Sequence, residues 1–393
     1  MAGLFRDSIP STDIDLWTEE SIRNSEEINV SKIGPVVRLN KHDCFFVGSH
    51  KAAQAVLSNW KIFSSTGRPF GVDDQSLVPR ILVTEDPPEH KRARDAIMKI
   101  LGPEGIKGLE SEFTRQAEVI VDEMLRRQVV DGVQELAANY ILKIFPDIIG
   151  LPSEGREKIL KFGLAAFNGA GPRNEILTKS IVEAEDAFAW MDKNATRETV
   201  SSGGMASKIY QLEKDGVINK EEADLLVLTL LGAGFDTTMT GIGNTLHALS
   251  QDPEQWDALR EDPSLVKAAF EESLRFDPPP RMLGRLVMSD TELEGMPLKQ
   301  GDVVGVFLKA AGRDESRWDQ PGKFDVRRRG PHLGFGVGVH SCAGQLLARV
   351  EFECLFRVLL QKVKRIELAG NPVRLINNNI QGWVNVPLKL HAV

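Results

Sequence analysis

The apolar positions of the chain change their spacing several times, and each change predicts an element. Two short runs near the start, Val36-Val37-Arg38-Leu39 and Cys44-Phe45-Phe46-Val47, read as short strands, with a helix over about His50–Leu57. From 105 to 151 the pattern is amphipathic and helical, with Val119, Ile120, Val121 and Met124, then Leu142, Ile144 and Phe145, expected in the core. Helices continue from 153 to 194, broken at Asn168-Gly169-Ala170-Gly171-Pro172. The longest apolar helical pattern covers 224–249, and a shorter helix at 267–275 is closed by Asp277 and three prolines. Positions 281–311 alternate as strands with turns at Gly295 and Gly301, Leu346 to Leu360 is again helix-forming, and the last strands run to Ala392. The expected fold is mainly α with a smaller β-rich region. Its β-rich part is about 30–80 with 281–310 and 365–393, its α-rich part about 85–280 and 340–363, and the whole is expected to form one domain over 1–393.

Composition narrows the class without naming a chemistry. The 393 residues are 42% hydrophobic and 26% charged, ordinary values for a globular protein. A net charge of −8 argues against a general nucleic-acid binder. The three cysteines, Cys44, Cys342 and Cys354, have no spacing of a disulfide or zinc framework, so a reducing cytoplasm is the simplest compartment. The first twenty residues turn acidic before any apolar run forms, so neither a signal peptide nor a membrane anchor is expected there.

Candidate chemistry gathers at four places. In Phe335-Gly-Val-Gly338-Val-His340-Ser-Cys342-Ala-Gly344, a glycine-rich loop presents one cysteine just before a helix, where backbone N–H groups and the macrodipole favour a thiolate. In Gly232-Ala233-Gly234-Phe235-Asp236-Thr237-Thr238, two glycines interrupt a long helix at roughly 1 kcal/mol each relative to alanine, a cost that close approach of a planar ligand would justify. In Asp86-Pro87-Pro88-Glu89-His90-Lys91-Arg92-Ala93-Arg94, prolines open a helix on which His90 and Arg94 share a face and can grip a carboxylate. Glu272 and Arg275, three apart, can form a charge pair.

The spacing F-x-x-G-x-x-x-C-x-G from Phe335 to Gly344 resembles the haem-ligand loop of the cytochrome P-450 family, and the other three segments resemble further motifs of that family in its order. The resemblance implies the cytochrome P-450 fold, with haem b between the long distal helix and the cysteine-loop helix. Carried over position by position, Cys342 is the axial ligand of the iron, whose thiolate favours O–O cleavage. Asp236 and Thr237 are the acid and alcohol that deliver protons to dioxygen. His90, Arg94, Arg285 and His340 are partners of the haem propionates, while Ala233, Gly234, Phe335 and Gly344 line the cofactor. Glu272 and Arg275 form a structural charge pair completed by one of Arg327, Arg328 and Arg329, a run that also suits an acidic partner.

The implied reaction is insertion of one oxygen atom from dioxygen, with electrons from NAD(P)H through a ferredoxin and its reductase, because no reductase region is appended. V-T-E-D-P-P, F-P-D-I-I-G-L-P, F-N-x-x-G-P at Phe167 and N-N-x-I-x-G look like the bacterial subgroup that oxidises para-substituted benzoates. The expected substrate is therefore a small aromatic compound, a methoxylated benzoate or phenol undergoing hydroxylation or O-demethylation. Arg80, Phe167, Thr229, Ala233, Leu283 and Gly284 are the expected contacts, with Arg80 anchoring a carboxylate; Phe167 reads equally as ordinary core. Small residues at Gly232, Ala170 and Gly284 leave a wider pocket and a different aromatic open; a hydroxylase of a terpenoid or fatty acid is the alternative among enzymes. A haem-thiolate ligand sensor is the non-catalytic alternative, against which the Asp236–Thr237 pair argues. A monomer without membrane or nucleic-acid partners is expected.

Overall fold

The computed structural model describes residues 9–66 and 81–393. Expected Arg80 lies outside the described residues, as does nearly all of 66–79, a stretch rich in Gly, Pro and Asp that reads as a loop and that the family resemblance implies covers the substrate. Helices make up most of the rest. A six-stranded sheet takes its strands from both ends of the sequence, in the order Ser11–Thr12, Val37–Leu39, Cys44–Val47, Val303–Phe307, Met282–Val287 and Phe63–Ser64. Cys44–Val47 pairs in parallel with Val303–Phe307, which pairs antiparallel with Met282–Val287 in the register Gly284 opposite Gly305. A second sheet joins Val363–Leu368, Pro387–Ala392 and Val130–Asp131. Most strands fall in the stretches read as β, but Val130–Asp131 interrupts the stretch 105–151 read as helical, and Ser11–Thr12 precedes the first expected strand.

The axis of the helical part is the 32-residue helix Lys220–Gln251. Its start is fixed by a reciprocal cap: Glu222 N–H donates to Asn219 Oδ1 at 2.9 Å, and Asn219 N–H to Glu222 Oε2 at 2.8 Å. By length and composition it is apolar enough to cross a membrane, yet here Val227, Leu231, Ile242 and Leu246 are buried by neighbouring helices. The helix Gln345–Lys362, directly after the cysteine loop, joins the same core. Phe352 stacks on Phe356 and on Phe270 with ring centroids 4.0 and 4.3 Å apart. Cys354 is buried, as expected of a small core residue.

Two buried ionic knots tie helices to loops. Glu272 and Arg275 are each 2% exposed, and the guanidinium binds the carboxylate twice, Nε–Oε2 at 2.6 Å and Nη2–Oε1 at 2.8 Å. Of the three arginines offered by the sequence, Arg328 completes the group, with Nε 3.1 Å from Glu272 Oε1. The remaining Arg275 donors go to the carbonyls of Gly312, Pro321 and Lys323. The segment before the cysteine loop is thereby fixed. Of the basic run, Arg328 is spent internally, while Arg327 and Arg329 are exposed. The second knot centres on Asp277, held by Arg374 at 3.0 and 3.1 Å and by Lys309 at 3.0 Å. Arg374 lies over Trp383, whose other neighbour is the stacked ring of His247 at 4.0 Å.

Removing one partner of a buried ion pair strands the other. Arg275→Ala is expected to cost about 3–5 kcal/mol in chemical denaturation, Arg328→Ala about 1.5–3 kcal/mol, and Arg327→Ala or Arg329→Ala under about 0.5 kcal/mol. A pH effect follows from His247. Burial holds it down to about 4, with Asp277 pulling up and Arg374 and Lys309 pulling down. An unfolded chain takes up that proton near pH 6.5, so the unfolded state binds more protons between 6.5 and 4, and stability is lost as pH falls through this window. Denaturation midpoints should show that loss, and His247→Gln should reduce it.

Candidate active site

Cys342 closes a tight loop. Its N–H donates to Phe335 O at 2.8 Å, and Gly336 and Gly338 take φ of 67° and 76°, left-handed values that favour glycine. The sulfur stands before the first turn of Gln345–Lys362, as the spacing predicts. Its acidity does not follow the expectation. Burial pushes the thiol up, and the N–H groups of Gly344 and Gln345 with the charges of Arg94 and Arg349 pull it down by less. The loop therefore offers a buried thiol that a metal ion would deprotonate, not a free thiolate.

Beside the loop lies a cluster of cations. Arg94 Nη1 donates to Ser341 O at 2.5 Å, so the helix Glu89–Leu101 is joined to the residue before the cysteine. His90 is buried and meets His340 edge-on at 4.5 Å; burial, then His340 and Arg94, holds it down to about 4. Arg285 is 6% exposed, and burial brings it down to about 10 against the pull of Asp86. Neither Arg94 nor Arg285 has a carboxylate ion-pair partner among the described residues; the bond given to Arg285 is to Gly284 O at 2.8 Å. The sequence reading missed Asp86, which orders the cluster. It accepts from His340 Nε2 at 2.9 Å, Ser64 Oγ at 2.6 Å and Ser65 N–H at 3.2 Å. Burial pushes its carboxyl up, but these bonds outweigh that and leave it below the usual range. Its place at the head of the Asp-Pro-Pro turn was the available signal.

On the long helix, Thr229, Ala233 and Thr237 are four apart and stay partly or fully accessible in the middle of a buried element. Thr229 and Thr237 turn their hydroxyls back to Leu225 O and Ala233 O, both at 2.8 Å, which loosens the local ladder. The neighbouring Asp236 points away from that stripe and is completely buried, with neither carboxylate oxygen hydrogen-bonded. Burial raises its carboxyl well above the usual range, which makes it a neutral acid. Gly234 has a different reason from the expected planar ligand. A Cβ at Gly234 would lie 2.3 Å from Phe145 Cζ, so Gly234 admits a packing helix. Gly232 would meet Phe162 at an ordinary 3.7 Å.

Of the expected substrate contacts, Phe167 is half-buried in the last turn of the helix Lys158–Gly169, and Leu283 and Gly284 are half-buried on the strand that carries Arg285. Sequence reasoning did not foresee that the turn after Phe167 is bonded to the loop 377–380. Asn378 N–H donates to Asn168 Oδ1 at 2.7 Å, and Asn378 Nδ2 lies within bonding distance of Asn168 O, Pro172 O and Asn174 Oδ1. Asn377 Nδ2 donates to Leu164 O at 3.0 Å.

The model of the family Cytochrome P450 matches residues 204–390. Cytochrome P450 CYP199A2 of Rhodopseudomonas palustris is 37% identical over 372 residues, which cover 93% of this chain and 90% of that protein. The chain belongs to the cytochrome P450 family. Linalool 8-monooxygenase of Pseudomonas putida is 30% identical over 313 residues, 78% of this chain and 77% of that one. Among solved structures, CYP109E1 from Bacillus megaterium in complex with testosterone superposes with a TM-score of 0.84 at 25% identity, covering 95% and 99% of the two chains. The chain is thus an oxidoreductase, a P450 monooxygenase, and membership implies a haem cofactor. The residues present suit that P450 haem: one sulfur held among glycines, and two arginines with no carboxylate of their own among the described residues where a haem carries two. Cys342→Ser is expected to abolish the carbon monoxide band for which P450 proteins are named, and Arg94→Leu to lower the haem content of purified protein several-fold, both read in absorption spectra.

Proposed function

We propose that this P450 inserts one oxygen atom into a small aromatic substrate, by hydroxylation or by O-demethylation of a methoxylated benzoate or phenol. The observation that carries the reading is the asparagine-bonded wall. F-N-x-x-G-P at Phe167 and N-N-x-I-x-G at Asn377, read separately from the sequence as marks of the benzoate-oxidising subgroup, form one unit through Asn168, Asn377 and Asn378. A wall bonded at both ends resists widening and suits a small, flat ligand. The near full-length identity with CYP199A2 supports a reading narrower than the family.

In this proposal Cys342 ligates haem b, and Arg94, Arg285, His90 and His340 face its propionates, with Asp86 orienting His340. Haem held there supplies activation of dioxygen. Thr237 Oγ1 is the hydroxyl that passes protons inward, and Asp236 is the acid behind it, a general-acid contribution of about 10²–10⁴-fold. Oxygen insertion into a methoxyl carbon gives a hemiacetal, which collapses to a phenol and formaldehyde. Two electrons from NAD(P)H reach the site through a ferredoxin-type protein docking behind Cys342 in the cytoplasm. A terpenoid hydroxylase is the second reading, favoured by the small residues Gly232, Ala170 and Gly284 and by the 30% identity with linalool 8-monooxygenase.

Titrating the haem-loaded protein with para-methoxybenzoates, methoxyphenols and linalool separates the readings. The expected result is a low-to-high spin shift with a methoxylated aromatic, and formaldehyde formed one-for-one with the phenol when ferredoxin, reductase and NADH are supplied. Shifts with linalool alone would transfer the assignment to the terpenoid reading, and no shift with any aromatic would end the first one.

A further inference from the structure

Asp236 is a fully buried acid with no hydrogen-bond partner on either oxygen, and the group it rests on is a glycine. A Cβ built on Gly163, in the helix Lys158–Gly169, would lie 1.4 Å from Asp236 Oδ2 and 2.6 Å from its Cγ. No side chain fits there with the carboxyl in place. The carboxyl thus occupies a slot whose floor is the bare backbone of Gly163, while one residue earlier Phe162 packs against the Gly232 side of the same long helix.

We infer that Gly163 is a positioning residue for proton delivery: its missing side chain stores the Asp236 carboxyl between the two helices, in reach of the Thr237 hydroxyl by rotation of the acid's own side chain. The inference rests on the relay proposed above and adds where its acid waits. The slot suits a neutral acid, because a charged one buried without a partner would be expelled or protonated, and burial does raise this carboxyl. It also leaves the acid free to go. In the slot it makes no hydrogen bond, so swinging toward Thr237 breaks none and allows one to form. The proton held on one carboxyl oxygen passes toward the Thr237 oxygen, and the carboxylate is reprotonated from solvent. Nothing else is consumed.

Infrared spectra of the purified protein at neutral pH give a readout apart from turnover. A protonated-carboxyl stretch that disappears in Asp236→Asn identifies the stored acid. Gly163→Ala should shift or abolish that band, lower the denaturation midpoint, and reduce the share of NADH electrons recovered in product about tenfold, with the substrate's spin-shift affinity unchanged. The double variant Gly163→Ala/Asp236→Ala, which empties the slot, should regain most of the lost midpoint; it tests the contact even where Gly163→Ala alone does not fold. A Gly163→Ala protein with the wild-type band and coupling, or a double variant no more stable than the single one, overturns the inference. An Asp236→Asn enzyme that keeps wild-type coupling sinks the relay itself, and Gly163's role with it. An essential Asp236 beside an indifferent Gly163 sinks only the slot.

Discussion

A helix of 32 residues through the middle of a protein has no side reserved for water, and most of this structure follows from that constraint. Its neighbours must be apolar or fully satisfied, since an unpaired buried polar group costs about 1–3 kcal/mol. Phe145 is seated on it where Gly234 gives room, Gly163 is bare where Asp236 needs room, and Phe162 meets the space beside Gly232. The one face released from packing carries Thr229, Ala233 and Thr237.

The cysteine loop is held by charge. Glu272, Arg275 and Arg328 fix the segment leading into the cysteine loop, and Arg94 bonds the carbonyl of Ser341, the residue before the cysteine. Packing and ion pairs divide the work. The helix contacts set the packing around the threonine stripe, and the buried guanidinium groups set the backbone beside the sulfur. A loop with two left-handed glycines has little conformational preference of its own, so its geometry must be imposed from outside.

What could be read from the sequence was whatever depends on neighbours along the chain. The apolar run Cys44–Val47, the break after Asn168 and the loop around Cys342 are local patterns, and the elements stand where those patterns put them. What depends on partners far along the chain was not legible. Three consecutive arginines look alike until Glu272 selects Arg328. Gly234 looked like room for a flat ligand until Phe145 filled it. For Cys342 two opposing effects were both foreseeable, a helix start that favours the thiolate and burial that penalises it, but only the depth of burial decides the sign.

The orphaned ionisable groups are sorted by sign. Beside the cysteine loop they are cations, Arg94 and Arg285, without carboxylate partners among the described residues. In the helix contacts the buried groups without a counter-charge are acids. Asp236 has no partner, and Glu351, on the helix that follows the loop, is pushed up to about 8 by burial against the pull of the Thr238 hydroxyl. Arginine keeps its charge when buried, whereas a carboxyl escapes the penalty by keeping its proton. The two populations therefore differ in kind: fixed positive charge beside the loop, and uncharged acids against the long helix. The first suits the dianionic cofactor and the second the proton store that we propose. Had the signs been exchanged, neither role would be available, because a lysine in Gly163's slot would shed its proton and a carboxylate at Arg285 would repel the propionate.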